Sequence, residues 1–209
     1  MIVIWVEGNI GSGKSTFLEN IGEVVECAVV FERVPVKHLE KFYRDPEYAL
    51  GFQLIMASER AVAQDDALDK ERRYNTKLIF LERSLHADLI FAKNCLKEED
   101  YRTYKNYRDR YLIPNYHKPD AVIYLRSTPE GCYTRIKRRM TENTTRKCED
   151  TIPIDYLERL HEGHENWLMT ERNEYPVIVF HTEEYDWRDL NVTAGLAEHI
   201  KNVVEVCKK

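Results

Sequence analysis

Five short apolar runs recur along the chain, at 2–6, 28–31, 78–81, 121–125 and 177–180, separated by longer polar stretches with apolar residues at helical spacing. The runs are rich in Val, Ile, Leu and Phe and show little in/out alternation. Strands of that kind are buried on both faces, and their alternation with helices predicts an α/β fold, a five-stranded parallel sheet flanked by helices. Between Pro46 and Lys70, positions Ala49, Phe52, Ile55, Met56, Ala63 and Leu68 fit one long helix packed on a core. Gln53 and Arg60 then share a face of that helix, roughly 10 Å apart along its axis. The stretch from Thr141 to Thr151 is polar and irregular and reads as a loop. With no repeat, low-complexity tract or Gly/Ser linker, residues 1–209 read as a single domain.

Composition narrows the partners. A formal net charge of −5 gives no electrostatic reason to expect a nucleic acid or an anionic membrane. The five cysteines are scattered and lack CxxC spacing, which fits a reducing compartment. Strand-like sequence begins at Ile2 and no apolar run approaches the length of a membrane span, so a cytoplasmic protein is expected.

The strongest chemical signal follows the first run. Gly8-Asn9-Ile10-Gly11-Ser12-Gly13-Lys14-Ser15 satisfies GxxxxGK[ST] and leads through Thr16 into a helix-like segment. Glycines let such a loop curl so that backbone N–H groups point at phosphate oxygens. Lys14 then reaches the β- and γ-phosphates, and Ser15 can ligate Mg²⁺. A nucleoside triphosphate with Mg²⁺ is therefore expected. No NKxD element follows, which argues against a GTPase.

The third run ends in Glu82-Arg83-Ser84 and the second in Glu32, placing charged groups at the carboxyl edge of a parallel sheet, where open α/β sheets bind ligands. Glu82 can serve Mg²⁺, Arg83 a charged group, and Glu32 can orient an attacking hydroxyl. Arg135, Arg138, Arg139 and Arg146 surround the 141–151 stretch and supply positive charge for a transferring phosphoryl group, as a closing lid would.

Taken in order, these residues resemble the deoxynucleoside kinase family, from the phosphate loop to near the C-terminus. The resemblance rests on that loop, Glu32, Tyr43-Arg44-Asp45-Pro46, Phe52-Gln53 with Arg60, Glu82-Arg83-Ser84, Pro119-Asp120, an Arg-rich lid at about 139–152 and Ile152-Pro153. It implies a P-loop kinase moving a phosphoryl group from ATP to a deoxynucleoside. Glu32 would be the general base, supported by Arg83, and Glu82 would serve Mg²⁺ with Ser15. It also implies that Tyr43 and Glu149 hold the sugar 3′-hydroxyl, that Gln53 pairs with the base and that Phe52 and Phe91 flank it. Arg60 and Asp88 would lie near the base edge, Asp186 and Trp187 near the adenine of ATP, and the protein would be a homodimer.

An ionised Asp88 accepts hydrogen bonds only, so an exocyclic amine on cytosine or adenine suits it better than thymine O4. Three features depart from the family pattern: Arg33-Val34 separates Glu32 from Pro35, the lid is longer between Arg139 and Arg146, and Phe91 stands one residue closer to Asp88. A nucleoside monophosphate kinase and a non-catalytic P-loop regulator stay open as alternatives.

Overall fold

A computed structural model describes residues 1–74, 77–142, 144–170, 173–185 and 189–207, with backbone alone at 70–74, 142, 144–147, 201 and 203–207. The five apolar runs form strands β1 (Ile2–Glu7), β2 (Ala28–Val30), β3 (Leu78–Glu82), β4 (Ala121–Arg126) and β5 (Val177–His181). All pair in parallel in the order β2-β3-β1-β4-β5.

Buried on both faces, the strands have no polar side to alternate. In β1, Ile4 and Val6 enter one core with Phe17, Leu18 and Ile21, while Val3 and Trp5 enter the opposite core with Ala57, Leu81 and Tyr104. The first core lies under α1 (Lys14–Val24) and α8 (Leu190–Cys207). The second lies under α3 (Ala49–Tyr74), α5 (Glu98–Tyr107) and α7 (Ile154–Leu168), with α4 (Asp88–Cys95) contributing Ala92. Helices α2 (Val36–Arg44) and α6 (Pro129–Glu142) complete the set around the sheet's carboxyl edge.

The expected long helix is present as α3, preceded by a separate 3-10 turn at Pro46–Tyr48. Pro46 stands at the start of that turn, and the Asp45 side chain accepts from the Glu47 N–H at 3.1 Å, so the chain is capped before α3 begins. Buried positions on α3 include Phe52, Gln53, Met56, Ala57, Arg60, Ala63, Gln64 and Ala67, a helical repeat in which polar residues interleave with apolar ones. The 141–151 stretch, expected to be irregular, is helical to Glu142 and then 3-10 over Thr144–Thr151, packed on α6 and α2.

The strand order sets where ligands go. β1 lies between β3 and β4; the chain leaves β1 for β2 on the β3 side and later crosses from β3 to β4 on the other, so the loop after β1 opens into a crevice at the carboxyl edge. Residues 8–13, carrying the phosphate-loop motif, occupy that position.

Candidate active site

The loop at 8–13 is shaped by its glycines. Gly11 has φ +77°, and a Cβ there would stand 2.6 Å from the Cys132 carbonyl oxygen, so only glycine fits against α6. Gly13, at φ +92°, caps α1 in the left-handed region and turns the following amides toward the helix axis. The Asn9 amide donates to the Leu157 carbonyl at 2.8 Å, and its carbonyl accepts from Ile10 N–H at 2.8 Å. Asn9 therefore staples the loop to α7 through its side chain. Ile10 packs beside Cys132, Ile136 and Leu157, and Ser12 is fully buried.

Lys14 donates from Nζ to the carbonyls of Asn9 at 2.8 Å and Gly8 at 3.2 Å, inside the curl of the loop. Burial, then repulsion from Arg83, lowers its ammonium to about 8 against the pull of Glu82, Glu32 and Glu7. Ser15 Oγ donates to Glu82 Oε1 at 2.7 Å. Glu82 Oε2 accepts from the Glu32 N–H at 3.2 Å, so one carboxylate ties the start of α1 to the residues after β2. A hydroxyl and a carboxylate oxygen at the mouth of a phosphate loop fit Mg²⁺, which takes oxygen donors and keeps few protein ligands beside phosphates and water. Among the described residues, no group of three His, Cys, Asp or Glu side chains forms a fuller metal cage.

Arg83 follows β3 with φ +64°, and among the described residues it alone is a non-glycine at positive φ. Its guanidinium lies 4.6 Å from the centre of the Phe91 ring, and its Nε donates to Glu32 Oε2 at 3.4 Å. Arg60 approaches Glu32 from the other side, donating from Nε to Oε1 at 3.1 Å and pairing with it again through Nη2. Burial pushes the Glu32 carboxyl up, but the summed fields of Arg60, Arg83 and Lys14 outweigh it and hold the group at about 2. Glu32 is thus ionised throughout the neutral range.

Arg60 also pairs with Asp88 through Nη1, so its guanidinium bridges two carboxylates. Asp88 is fully buried, and its second oxygen accepts from the Tyr104 hydroxyl at 3.0 Å. The structure sets Asp88 behind Arg60, outside the wall of the cleft, while Arg60 itself lines it.

These groups share one cleft of about 560 Å³. Its phosphate end holds Gly11, Gly13, Lys14, Ser15 and Thr16, its middle Glu32, Glu82 and Arg83, and its far end Phe52, Gln53, Arg60 and Phe91. Gly8, Asn9 and Ser12 shape the loop behind that wall. Gln53 is buried and donates from Nε2 to Cys95 Sγ at 3.3 Å, beside a thiol that burial pushes up to about 11 and so keeps neutral. Phe52 stacks on Phe42 with ring centres 4.7 Å apart and planes 14° apart.

Tyr43 and Glu149 both line the cleft. Burial, then Tyr156 and Glu149, raises the Tyr43 hydroxyl well above its ordinary value, leaving it a donor. Arg139 pairs with Glu149. Arg135, Arg138 and Arg139 line the cleft from α6, and Arg135 is anchored to Ser127 Oγ at 2.5 Å and Thr182 Oγ1 at 3.2 Å. The Arg146 side chain, Asp186 and Trp187 lie outside the described residues.

Four contributors were not foreseen from the sequence: Phe42 under Phe52, Cys95 on Gln53, Tyr104 on Asp88, and Glu7, whose buried carboxylate accepts from the Ser84 N–H at 2.7 Å. Phe42 adjoins Tyr43 and shares its helix, which was a usable signal. Cys95 and Tyr104 carry none, since Cys95 reaches Gln53 only through the packing of α4 against α3, and Tyr104 reaches Asp88 only through the packing of α5 against α4.

Comparison with known proteins returns a consistent set. A family model described as deoxynucleoside kinase matches residues 4–205. Deoxycytidine kinase from Bos taurus is 31% identical over 241 residues, covering 95% of this chain and 89% of that protein. Mitochondrial thymidine kinase 2 from Homo sapiens is 35% identical over 179 residues, covering 80% of this chain and 64% of that protein. The structure of deoxyadenosine kinase from M. mycoides with bound dCTP superposes with a TM-score of 0.78 at 25% identity, covering 97% of this chain and 100% of that one.

Proposed function

The chain belongs to the deoxynucleoside kinase family of ATP-dependent phosphotransferases, and from that premise we propose that it moves the γ-phosphoryl group of ATP onto the 5′-hydroxyl of a deoxynucleoside, favouring deoxycytidine and purine deoxynucleosides over thymidine. The observation that carries this reading is a single cleft with a phosphate loop at one end, a carboxylate held between two arginines in the middle, and an amide with aromatic walls at the other.

In this reading the amides of the loop and Lys14 receive the ATP phosphates, and Arg83 with the α6 arginines meets charge that develops on the transferring group. Ser15 and Glu82 would hold Mg²⁺, which when bound neutralises phosphate charge. Glu32 orients the 5′-hydroxyl. As an ionised carboxylate it accepts hydrogen bonds only, and in a loose transition state the hydroxyl proton leaves late, so its contribution is chiefly positional. Tyr43 donates to, and Glu149 accepts from, the sugar 3′-hydroxyl.

At the base end Gln53 offers both a donor and an acceptor. The Arg60–Asp88 pair beside it supports the proposed preference. A thymine C5-methyl pressed against the Arg60 guanidinium, which lines the cleft with Asp88 behind it, would desolvate charge without returning a hydrogen bond, whereas cytosine and purines bring no such group. Uncompensated polar burial costs about 1–3 kcal/mol. The family resemblance also supports a homodimer.

The test is ADP release from ATP and Mg²⁺ with deoxycytidine, deoxyadenosine, deoxyguanosine, thymidine and their 5′-monophosphates offered separately. Turnover with nucleosides and not monophosphates is expected. Turnover with monophosphates alone would sink the reading, and thymidine as the best acceptor would sink the base preference.

A further inference from the structure

Glu7 is the last residue of β1, and its side chain is 0% exposed. Burying a carboxylate is expensive unless the group is hydrogen-bonded to some purpose. Its Oε1 accepts from the Ser84 N–H at 2.7 Å, wholly within the interior. The preceding amide, that of Arg83, donates to the Val6 carbonyl at 3.0 Å. Two successive amides after β3 are therefore clipped to two successive residues at the end of β1.

Between those two hydrogen bonds lies the φ of +64° at Arg83, a conformation that an arginine adopts only under constraint, at about 1–3 kcal/mol. The constraint has a directional result. From this backbone the Arg83 side chain runs to Glu32 and over the Phe91 ring, into the middle of the cleft. A relaxed, extended Arg83 would send its side chain elsewhere. Burial raises the Glu7 carboxyl above its ordinary value, and Arg83 and Lys14 are the two cations that pull against that rise.

We propose that Glu7 is a positioning residue for phosphoryl transfer: by accepting from the Ser84 N–H it holds the left-handed Arg83 turn and thereby sets where the Arg83 guanidinium meets the reacting groups. The inference rests on the proposed role of Arg83 and deepens it. The acceptor atom does the holding, so a neutral amide of the same length should serve, while a shorter carboxylate should not.

Two conservative variants separate the reach of the acceptor from the ability to ionise. Glu7→Gln keeps the acceptor and removes the ionisable group, and kcat should stay within about threefold. Glu7→Asp keeps the carboxyl group and withdraws the acceptor by one methylene, and kcat should fall about 10- to 100-fold with little change in KM, as expected for a misplacement near 1 Å. In an Arg83→Met background, which is itself impaired, Glu7→Asp should cost little more, because the group it positions is gone. Full activity of Glu7→Asp, a loss in Glu7→Gln matching that in Glu7→Asp, or an equal further loss in the Arg83→Met background would each overturn the inference while leaving the role of Arg83 intact. Unimpaired turnover by Arg83→Met alone would overturn both.

Discussion

At the scale of single residues, the middle of the cleft is governed by one guanidinium shared between two carboxylates. Arg60 pairs with Glu32 on one side and Asp88 on the other, and Tyr104 fixes the far oxygen of Asp88. Burial works against an ionised Glu32, and Arg60 is the first of the cations that overcome it. Replacing Arg60 by Met should therefore let the Glu32 carboxyl rise from about 2 toward and beyond its ordinary 4.5. The acid limb of the kcat/KM profile, which reports the free enzyme, should be flat down to about pH 4 in the parent and move upward in Arg60→Met. A profile of kcat/KM from pH 4 to 8 checks this, and identical acid limbs would show that Arg60 does not set the Glu32 charge. Glu32 and Arg60 were both visible in the sequence as candidates. Their direct contact was not, because they stand 28 positions apart, with α2 and the 3-10 turn between them along the chain.

At the scale of elements, helix α4 carries Phe91 to the cleft and Asp88 to the back of Arg60, and its seat against α7 is tight. A Cβ added at Gly163 of α7 would stand 2.4 Å from Ile90 Cγ2, on a β-branched side chain with little freedom to move aside. Gly163→Ala should destabilise the protein by about 1–3 kcal/mol despite the higher helix propensity of alanine. Adding Ile90→Ala should recover part of the Gly163→Ala loss, measured against Ile90→Ala alone by urea unfolding. Additive losses would place the strain elsewhere. A glycine inside a periodic helical pattern suggests close packing, but only the structure names Ile90 as the neighbour. The α3 helix shows the reverse: its length and the common face of Gln53 and Arg60 were legible from spacing alone. The 3-10 course of Thr144–Thr151 was not, since polar residues without apolar periodicity give no signal until α6 and α2 supply a surface to pack on.

At the scale of the whole molecule, the fold buries ionisable groups behind the cleft as well as within it. His164 is fully buried, stacked on Tyr124 with ring centres 6.1 Å apart, and burial followed by Arg83 lowers it to about 3. A histidine whose folded value lies below its unfolded 6.5 binds protons more readily when the chain is unfolded. Its contribution to stability is complete above pH 6.5 and is lost progressively as pH falls toward 3, at up to about 1.4 kcal/mol per pH unit. Urea unfolding at pH 7.5 and 5 should show lower stability at pH 5. His164→Phe, which keeps a ring against Tyr124, should shrink the difference. An unchanged difference would assign the effect to other groups.

Sequence alone determined the five parallel strands, the phosphate loop and the presence of Glu32, Glu82 and Arg83 at strand ends, because each is encoded locally: a run of apolar residues buried on both faces, a fixed glycine spacing, a charge at the end of a run. Tertiary structure alone decided that Glu32 lies between Arg60 and Arg83, that Asp88 sits behind Arg60, that Arg83 takes a left-handed turn and that Glu7 clips it. Those facts depend on which strand lies beside which and how deeply each group is buried. A charge acquires its partners, and a carboxyl its pKa, only once the strands are in register and water has been excluded.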